Sequence, residues 1–252
     1  MRLFGLIGYP LEHSFSPQYF ANKFEQEGIT DCAYRAFPIK ALDEITTLLT
    51  RYPNLEGLNV TKPYKQMVLN YLNTVDGEAY SIGAVNTIRI RFQETEGGFY
   101  LKGFNTDIYG FYHSLNPLLT SDHKQALILG SGGASKAVQY VLASMGIGYR
   151  LVSRKPGEQR INYEELTPDI IANSKLIINS TPIGTHPRAD EAPPLAYGAI
   201  GSEHLLYDLV YNPSETLFMQ KGRAKGATVK NGREMLELQA ERSWVLWNEE
   251  SG

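Results

Sequence analysis

Apolar positions along this chain fall into short aliphatic or β-branched runs that alternate with segments of helical period, a pattern that predicts a largely parallel α/β architecture. Leu3 to Gly8 reads as a first strand, and Pro17 opens a helix with Phe20 and Phe24 on one face. Cys32 to Phe37 and Leu55 to Val60 read as the next two strands. Behind Pro63, a residue suited to a first helical turn, Tyr64, Met67, Val68, Tyr71 and Leu72 share a face and predict a second helix. Ala84 to Phe92 and Phe99 to Phe104 flank a Glu-Thr-Glu-Gly-Gly turn and predict a hairpin.

From Asn105 the pattern restarts. A helix from about Ile108 to Leu115 precedes the run Ala126-Leu127-Ile128-Leu129, which leads straight into Gly130-Ser131-Gly132-Gly133-Ala134-Ser135. Tyr149 to Val152, Leu176 to Asn179, Leu205 to Val210 and Ala227 to Val229 read as later strands, punctuated by Gly and Pro. Arg233 to Trp247 reads as a closing amphipathic helix that packs back on the first part of the chain. The expected fold is α/β in two domains: an open α/β domain over 1–103, completed by 233–252, and a Rossmann-type domain over 104–232.

Composition narrows the function classes. At 252 residues the chain can bury the core of a cleft enzyme. Its 24 basic and 27 acidic residues give a net charge of −3, with no block of like charge. Neither nucleic acid nor a membrane surface is therefore an expected partner. Cys32 is the single cysteine, so no internal disulfide or thiolate metal site can form, and a reducing compartment is expected. The apolar N-terminus is broken by Gly5, Gly8 and Pro10, and no run of about 18 apolar residues occurs. A soluble, cytoplasmic protein is expected, acting on a small molecule as a monomer or a homodimer, with no metal required.

Strand, glycine-rich turn and helix in succession form a phosphate-binding arrangement, in which the first glycine makes the tight turn and the second lets a pyrophosphate approach the backbone. The clear strand before Gly130 and the apolar helix face of Ala134, Val138, Val141, Leu142 and Met145 favour dinucleotide binding over a merely tight turn. Ser135 stands where the fingerprint carries its third glycine. At the end of the next strand the chain reads Ser153-Arg154-Lys155, with no carboxylate for a ribose 2′-hydroxyl. Arg154 can clasp a phosphate with two parallel hydrogen bonds, so NADP is favoured over NAD.

In the first domain Ser14, Ser16, Asn59, Thr61 and Asn86 gather where strands end, the edge at which open α/β sheets bind ligands. Hydroxyls and amides suit a small hydroxylated, carboxylated molecule. Each also has an ordinary structural role, as helix cap or turn residue. Lys65 falls in the first turn of the helix predicted behind Pro63, where the macrodipole disfavours a cation, so another interaction is needed to hold it there. Asp107 opens the next domain's first helix, where a carboxylate is locally favoured. Together Lys65 and Asp107 form a candidate acid–base pair.

At these residues the chain resembles the shikimate dehydrogenase family over nearly its whole length. Gly8-Tyr9-Pro10-Leu11-Glu12-His13-Ser14-Phe15-Ser16-Pro17, Asn59-Val60-Thr61-Lys62-Pro63-Tyr64-Lys65, Gly83-Ala84-Val85-Asn86-Thr87 and Gly103-Phe104-Asn105-Thr106-Asp107 occur in the family's order. The nucleotide loop, Asn179-Ser180-Thr181-Pro182-Ile183-Gly184, Asp208-Leu209-Val210-Tyr211-Asn212-Pro213 and Gly232 to Gln239 follow. The resemblance implies reversible, NADPH-dependent reduction of 3-dehydroshikimate to shikimate. It further implies that Lys65 and Asp107 are catalytic, that Ser14 and Ser16 hold the substrate carboxylate with Tyr211, and that Asn59, Thr61, Asn86, Asp107 and Gln239 read ring hydroxyls. Gly130, Ser131, Gly132, Gly133, Ala134, Ser153, Arg154, Lys155, Leu209 and Gly232 would line NADP. Tyr9, Phe20, Ser153 and Thr185 depart from the family's usual serine, histidine, asparagine and methionine. Two alternatives are a quinate/shikimate dehydrogenase with relaxed cofactor use and a non-catalytic ligand sensor of the same fold.

Overall fold

The computed structural model describes residues 1–12, 14–93, 97–154 and 160–249. In chain order its elements are β1 (Arg2–Gly8), α1 (Phe15–Gln26), β2 (Cys32–Pro38), α2 (Glu44–Arg51), β3 (Leu55–Val60), β4 (Thr74–Val75), α3 (Gly77–Ile82), β5 (Thr87–Gln93) and β6 (Gly98–Phe104). Then follow α4 (Thr106–Leu115), β7 (Gln125–Leu129), α5 (Gly133–Ser144), β8 (Gly148–Val152), β9 (Arg160–Ile161), α6 (Pro168–Asn173), β10 (Leu176–Asn179), β11 (Leu205–Asp208), α7 (Leu217–Arg223), β12 (Thr228–Lys230) and α8 (Arg233–Asn248). The chain divides into two compact units, Met1–Thr106 with Gln239–Gly252, and Asp107–Leu238.

In the first unit the strands run in the order β2-β1-β3-β5-β6-β4. β1 lies parallel to both β2 and β3, while β5 and β6 form an antiparallel hairpin against β3. Phe20 and Phe24 of α1 pack with Phe4, Cys32 and Trp247, whereas Ile45 and Leu49 of α2 pack with Leu3, Ile7, Leu55 and Leu58 in a separate cluster. Successive strand residues point to opposite faces, so the two helices cover opposite sides of the sheet. The connections leaving β1 and entering β3 therefore diverge, and the crevice outside the carboxyl ends of such strands is where open sheets bind ligands.

The end of α8 is locked onto this unit. Trp247 is fully buried, stacks on Phe4 at 4.9 Å and donates from Nε1 to the Ile88 carbonyl at 3.0 Å. A Cβ on Gly57 would lie 2.4 Å from the indole, so the ring's position requires glycine there. Arg91 donates to the Trp247 carbonyl at 2.6 Å and Arg89 to that of Leu246 at 3.4 Å, satisfying helix-end oxygens that have no partner within the helix. Lys23 of α1, buried, pairs with Glu27 at 2.6 Å and with Glu241 of α8 at 2.8 Å. Burial opposes the charge on Lys23, but the two carboxylates outweigh it and raise its pKa.

The second unit holds a fully parallel sheet in the order β12-β11-β10-β7-β8-β9. Counted within the unit this is the doubly wound order of dinucleotide-binding folds, with its switch point between β7 and β10. Helices on both faces leave β10 and β11 buried throughout, which is why they read as continuous apolar runs rather than alternating ones. No helix among the described residues is long and apolar enough to cross a membrane.

One predicted element differs. The segment behind Pro63 is a series of turns followed by a five-residue 3₁₀ helix, Met67–Tyr71, and not an α-helix. Tyr64 is buried and donates to the Ile39 carbonyl at 2.9 Å, and Asn73 hydrogen-bonds Leu101 through its main-chain N–H and its side-chain oxygen. Both ends of the segment are thus tied to other elements. Among helices, α2, α3, α6 and α7 lacked a pattern long enough to be read from sequence, and α1 begins at Phe15, before Pro17.

Candidate active site

In the first unit the polar residues at the strand ends form one connected, largely buried network. Asn59 at the end of β3 accepts from Tyr34 Oη at 2.7 Å and donates from Nδ2 to Ser243 Oγ at 3.0 Å. Thr87 Oγ1 lies 2.8 Å from Ser243 Oγ and donates to Asn86 Oδ1 at 3.1 Å. Asn86, buried, accepts from the Thr106 N–H at 2.7 Å, so its side chain caps the start of α4. That N–H can only donate, which fixes which end of the Asn86 amide faces it. Its Nδ2 then donates to Gln239 Oε1 at 3.1 Å, turning the amino end of Gln239 outward as a donor.

Ser14 is the N-cap residue of α1 but makes no side-chain capping bond, and Ser16 lies in the helix's first turn. Thr61 follows β3 directly, and its N–H donates to the Ile7 carbonyl of β1 at 3.0 Å. Lys65 sits in the turn before the 3₁₀ helix, and its carbonyl accepts from Val85 N–H at 2.7 Å, tying it to the entry of β5. The dipole argument for Lys65 therefore falls away, because no α-helix begins there; its main chain holds it instead.

In the second unit Gly130 ends β7 with φ +105°, a conformation suited to glycine, and its Cβ would meet Ser180 Oγ at 2.8 Å. The two loops flanking the switch point thus approach within contact. A Cβ on Gly132 or Gly133 would meet nothing within 4 Å, so the loop presents bare backbone ahead of α5, whose first turn supplies unpaired N–H groups. Ser135 is buried and bonds back to the Gly132 carbonyl at 2.7 Å, so a small residue suffices at the third fingerprint position. Ser131 Oγ lies 3.3 Å from Ser153 Oγ, linking the glycine loop to the end of β8, where Arg154 is exposed. A Cβ on Gly232 would lie 2.3 Å from the Leu209 carbonyl, so these two loop residues are in contact. These residues fit a dinucleotide. Lys155 lies outside the described residues.

A family model described as the shikimate dehydrogenase substrate binding domain matches residues 6–88. The shikimate dehydrogenase (NADP+) of Caldanaerobacter subterraneus is 35% identical over 266 residues, covering 99% of this chain and 92% of that protein. The chain belongs to the shikimate dehydrogenase family. Among solved structures, shikimate 5-dehydrogenase of Thermus thermophilus in complex with NADP(H) and shikimate is similar at TM-score 0.83 and 32% identity, covering 98% of this chain and 94% of that one. Quinate dehydrogenase of Corynebacterium glutamicum in complex with NAD is similar at TM-score 0.85 and 27% identity, with 98% and 93% covered.

For a shikimate dehydrogenase family member, sequence reasoning missed the support beneath the strand-end amides. Tyr34, Thr87, Thr106 and Ser243 join Asn59, Asn86 and Gln239 into one network. Nothing local marks Tyr34 or Ser243, since a tyrosine in β2 and a serine in α8 are ordinary residues there, whereas Thr87 and Thr106 stand inside the family's motifs. In the second unit sequence also passed over Asp208, fully buried at the end of β11. It accepts from Asn179 Nδ2 at 2.9 Å, Val210 N–H at 3.0 Å and Thr216 Oγ1 at 2.6 Å. Burial nevertheless pushes its pKa up to about 6. Burial likewise raises Tyr211, in the same loop, against the opposing charge of Arg233.

Proposed function

We propose that this protein catalyses the reversible, NADP-dependent reduction of 3-dehydroshikimate to shikimate. Family membership over nearly the full chain carries this reading, and the strand-end network of hydroxyls and amides supports it chemically. When bound, NADPH supplies the hydride. Gly130, Ser131, Gly132, Gly133 and Ala134 would hold its pyrophosphate, Ser153, Arg154 and Lys155 its 2′-phosphate, and Leu209 and Gly232 the remainder.

Ser14 and Ser16, with Tyr211, hold the substrate carboxylate, and Asn59, Thr61, Asn86, Asp107 and Gln239 engage the ring hydroxyls. Asn86 and Gln239 are held in one orientation by the Thr106 N–H, so their hydrogen-bonding pattern is set before a ligand arrives, which lowers the ordering cost of binding. Lys65 protonates the oxygen that gains charge as the carbonyl is reduced, and takes that proton back in the reverse direction. Asp107 orients the lysine and the adjacent hydroxyl. Aromatic biosynthesis in the cytoplasm is the setting this activity implies.

The likeness to a quinate dehydrogenase supports a second reading, in which quinate and NAD are also used. Absorbance at 340 nm with shikimate or quinate against NADP+ or NAD+ tests both. Turnover of shikimate with NADP+ at a kcat/KM well above the other three combinations is expected. Equal use of quinate and NAD+ would favour the second reading, and no turnover of any combination would leave a ligand-sensing role.

A further inference from the structure

The Asn59 carboxamide is gripped at both ends. Tyr34 Oη donates to Oδ1 at 2.7 Å. On the nitrogen side Nδ2 donates to Ser243 Oγ at 3.0 Å, with Thr87 Oγ1 at 3.3 Å and the Asn86 main-chain carbonyl at 3.4 Å. A main-chain carbonyl can only accept, so the amide cannot be turned over without losing that partner. Ser243 completes its own hydrogen bonding by donating to the Gln239 carbonyl at 2.9 Å.

The reach of Tyr34 matters. β2 and β3 lie on either side of β1, two ladder steps or roughly 10 Å apart, so only a long side chain can bridge from one to the other. The tyrosine ring is held for this by stacking on Phe20 at 4.5 Å and 15°. Tyr34 thus braces Asn59, at the hydroxyl end of the proposed substrate, from across β1.

We propose that Tyr34 and Ser243 are positioning residues for the substrate, fixing Asn59 so that it offers its Oδ1 as an acceptor to a ring hydroxyl. Because both Asn59 N–H groups turn inward, the remaining lone pair of Oδ1 is what a ligand meets. The inference rests on the assignment of Asn59 as a substrate contact.

Steady-state kinetics of Tyr34→Phe and Ser243→Ala in the full chain test it, with shikimate and NADP+ each varied in turn and thermal melts alongside. Tyr34→Phe keeps the ring stack and removes only the hydroxyl. In both variants the KM for shikimate should rise about 3- to 10-fold, the worth of one net hydrogen bond, with kcat and the KM for NADP+ held near wild type. Unchanged shikimate KM in both variants, or an equal rise for shikimate and NADP+ with a lowered melting temperature, would overturn the inference while leaving the activity intact. Absence of shikimate turnover by the unmodified protein would remove the activity reading and this inference together. Should Tyr34→Phe fail to fold, Ser243→Ala carries the same comparison of shikimate with NADP+.

Discussion

At the scale of single residues, the site depends on donors and acceptors whose direction is fixed by backbone groups. Lys65 is the sharpest case, since its main chain is tied to Val85 while its side chain is assigned the proton transfer. Lys65→Met should lower kcat by about 10² to 10⁴ with little change in KM, because it removes an interaction made in the transition state. A kcat within about threefold of wild type would take Lys65 out of the mechanism. Arg154 is proposed to hold the 2′-phosphate of the coenzyme. Arg154→Ala should raise the KM for NADPH about 10- to 100-fold, as charge-assisted hydrogen bonds do when lost, and leave that for NADH nearly unchanged. Equal effects on the two coenzymes would show that Arg154 does not read the 2′-phosphate.

At the scale of elements, the docking of α8 on the first sheet brings Gln239 and Ser243 to the strand ends. Its anchor is Trp247, lying against Gly57 with its indole N–H on Ile88. Gly57→Ala places a methyl group inside that contact and should destabilise the fold by about 1–3 kcal/mol, the usual cost of overpacking. Urea unfolding followed by tryptophan fluorescence measures it. Because α8 carries Gln239, a rise in shikimate KM should accompany the loss, and a variant of unchanged stability would mean that the helix can shift to accommodate the methyl. The 3₁₀ segment after Lys65 teaches the complementary lesson. Tyr64, Val68 and Tyr71 recur at helical spacing, yet the segment, tied by Tyr64 to Ile39 and by Asn73 to Leu101, forms turns and a 3₁₀ helix. Tertiary hydrogen bonds overrode the local pattern.

At the scale of the whole molecule, one buried acid gives stability a pH dependence of definite sign. Asp208 has a folded-state pKa raised to about 6, against an unfolded value of about 3.9. The folded state therefore binds a proton more readily than the unfolded one between those values. The stabilisation this provides is fully present below about pH 4 and is lost as pH rises through about 6, amounting to about 3 kcal/mol. Buried His123 and His204, whose pKa values burial lowers, act in the opposite direction as pH falls. The contribution of Asp208 is isolated by subtracting Asp208→Asn from wild type in urea melts from pH 4 to 7.5. A difference that does not change across that window would show that Asp208 titrates normally.

What the sequence determined by itself is whatever short-range chemistry specifies. The central strands β10 and β11 are buried throughout, and Gly130 precedes a helix, so strand, phosphate loop and fold class were legible from local runs and spacing. Ser14, Asn59, Thr61 and Asn86 were legible too, because strand ends are where a sheet exposes polar groups. The tertiary structure alone decided what stands behind them. Tyr34 meets Asn59 across an intervening strand, and Ser243 reaches the same amide from the far end of the chain, contacts between residues 25 and 184 positions apart. No local pattern encodes such a meeting, because it depends on strand order and on the seating of α8 against Gly57, which exist only once the whole core has packed.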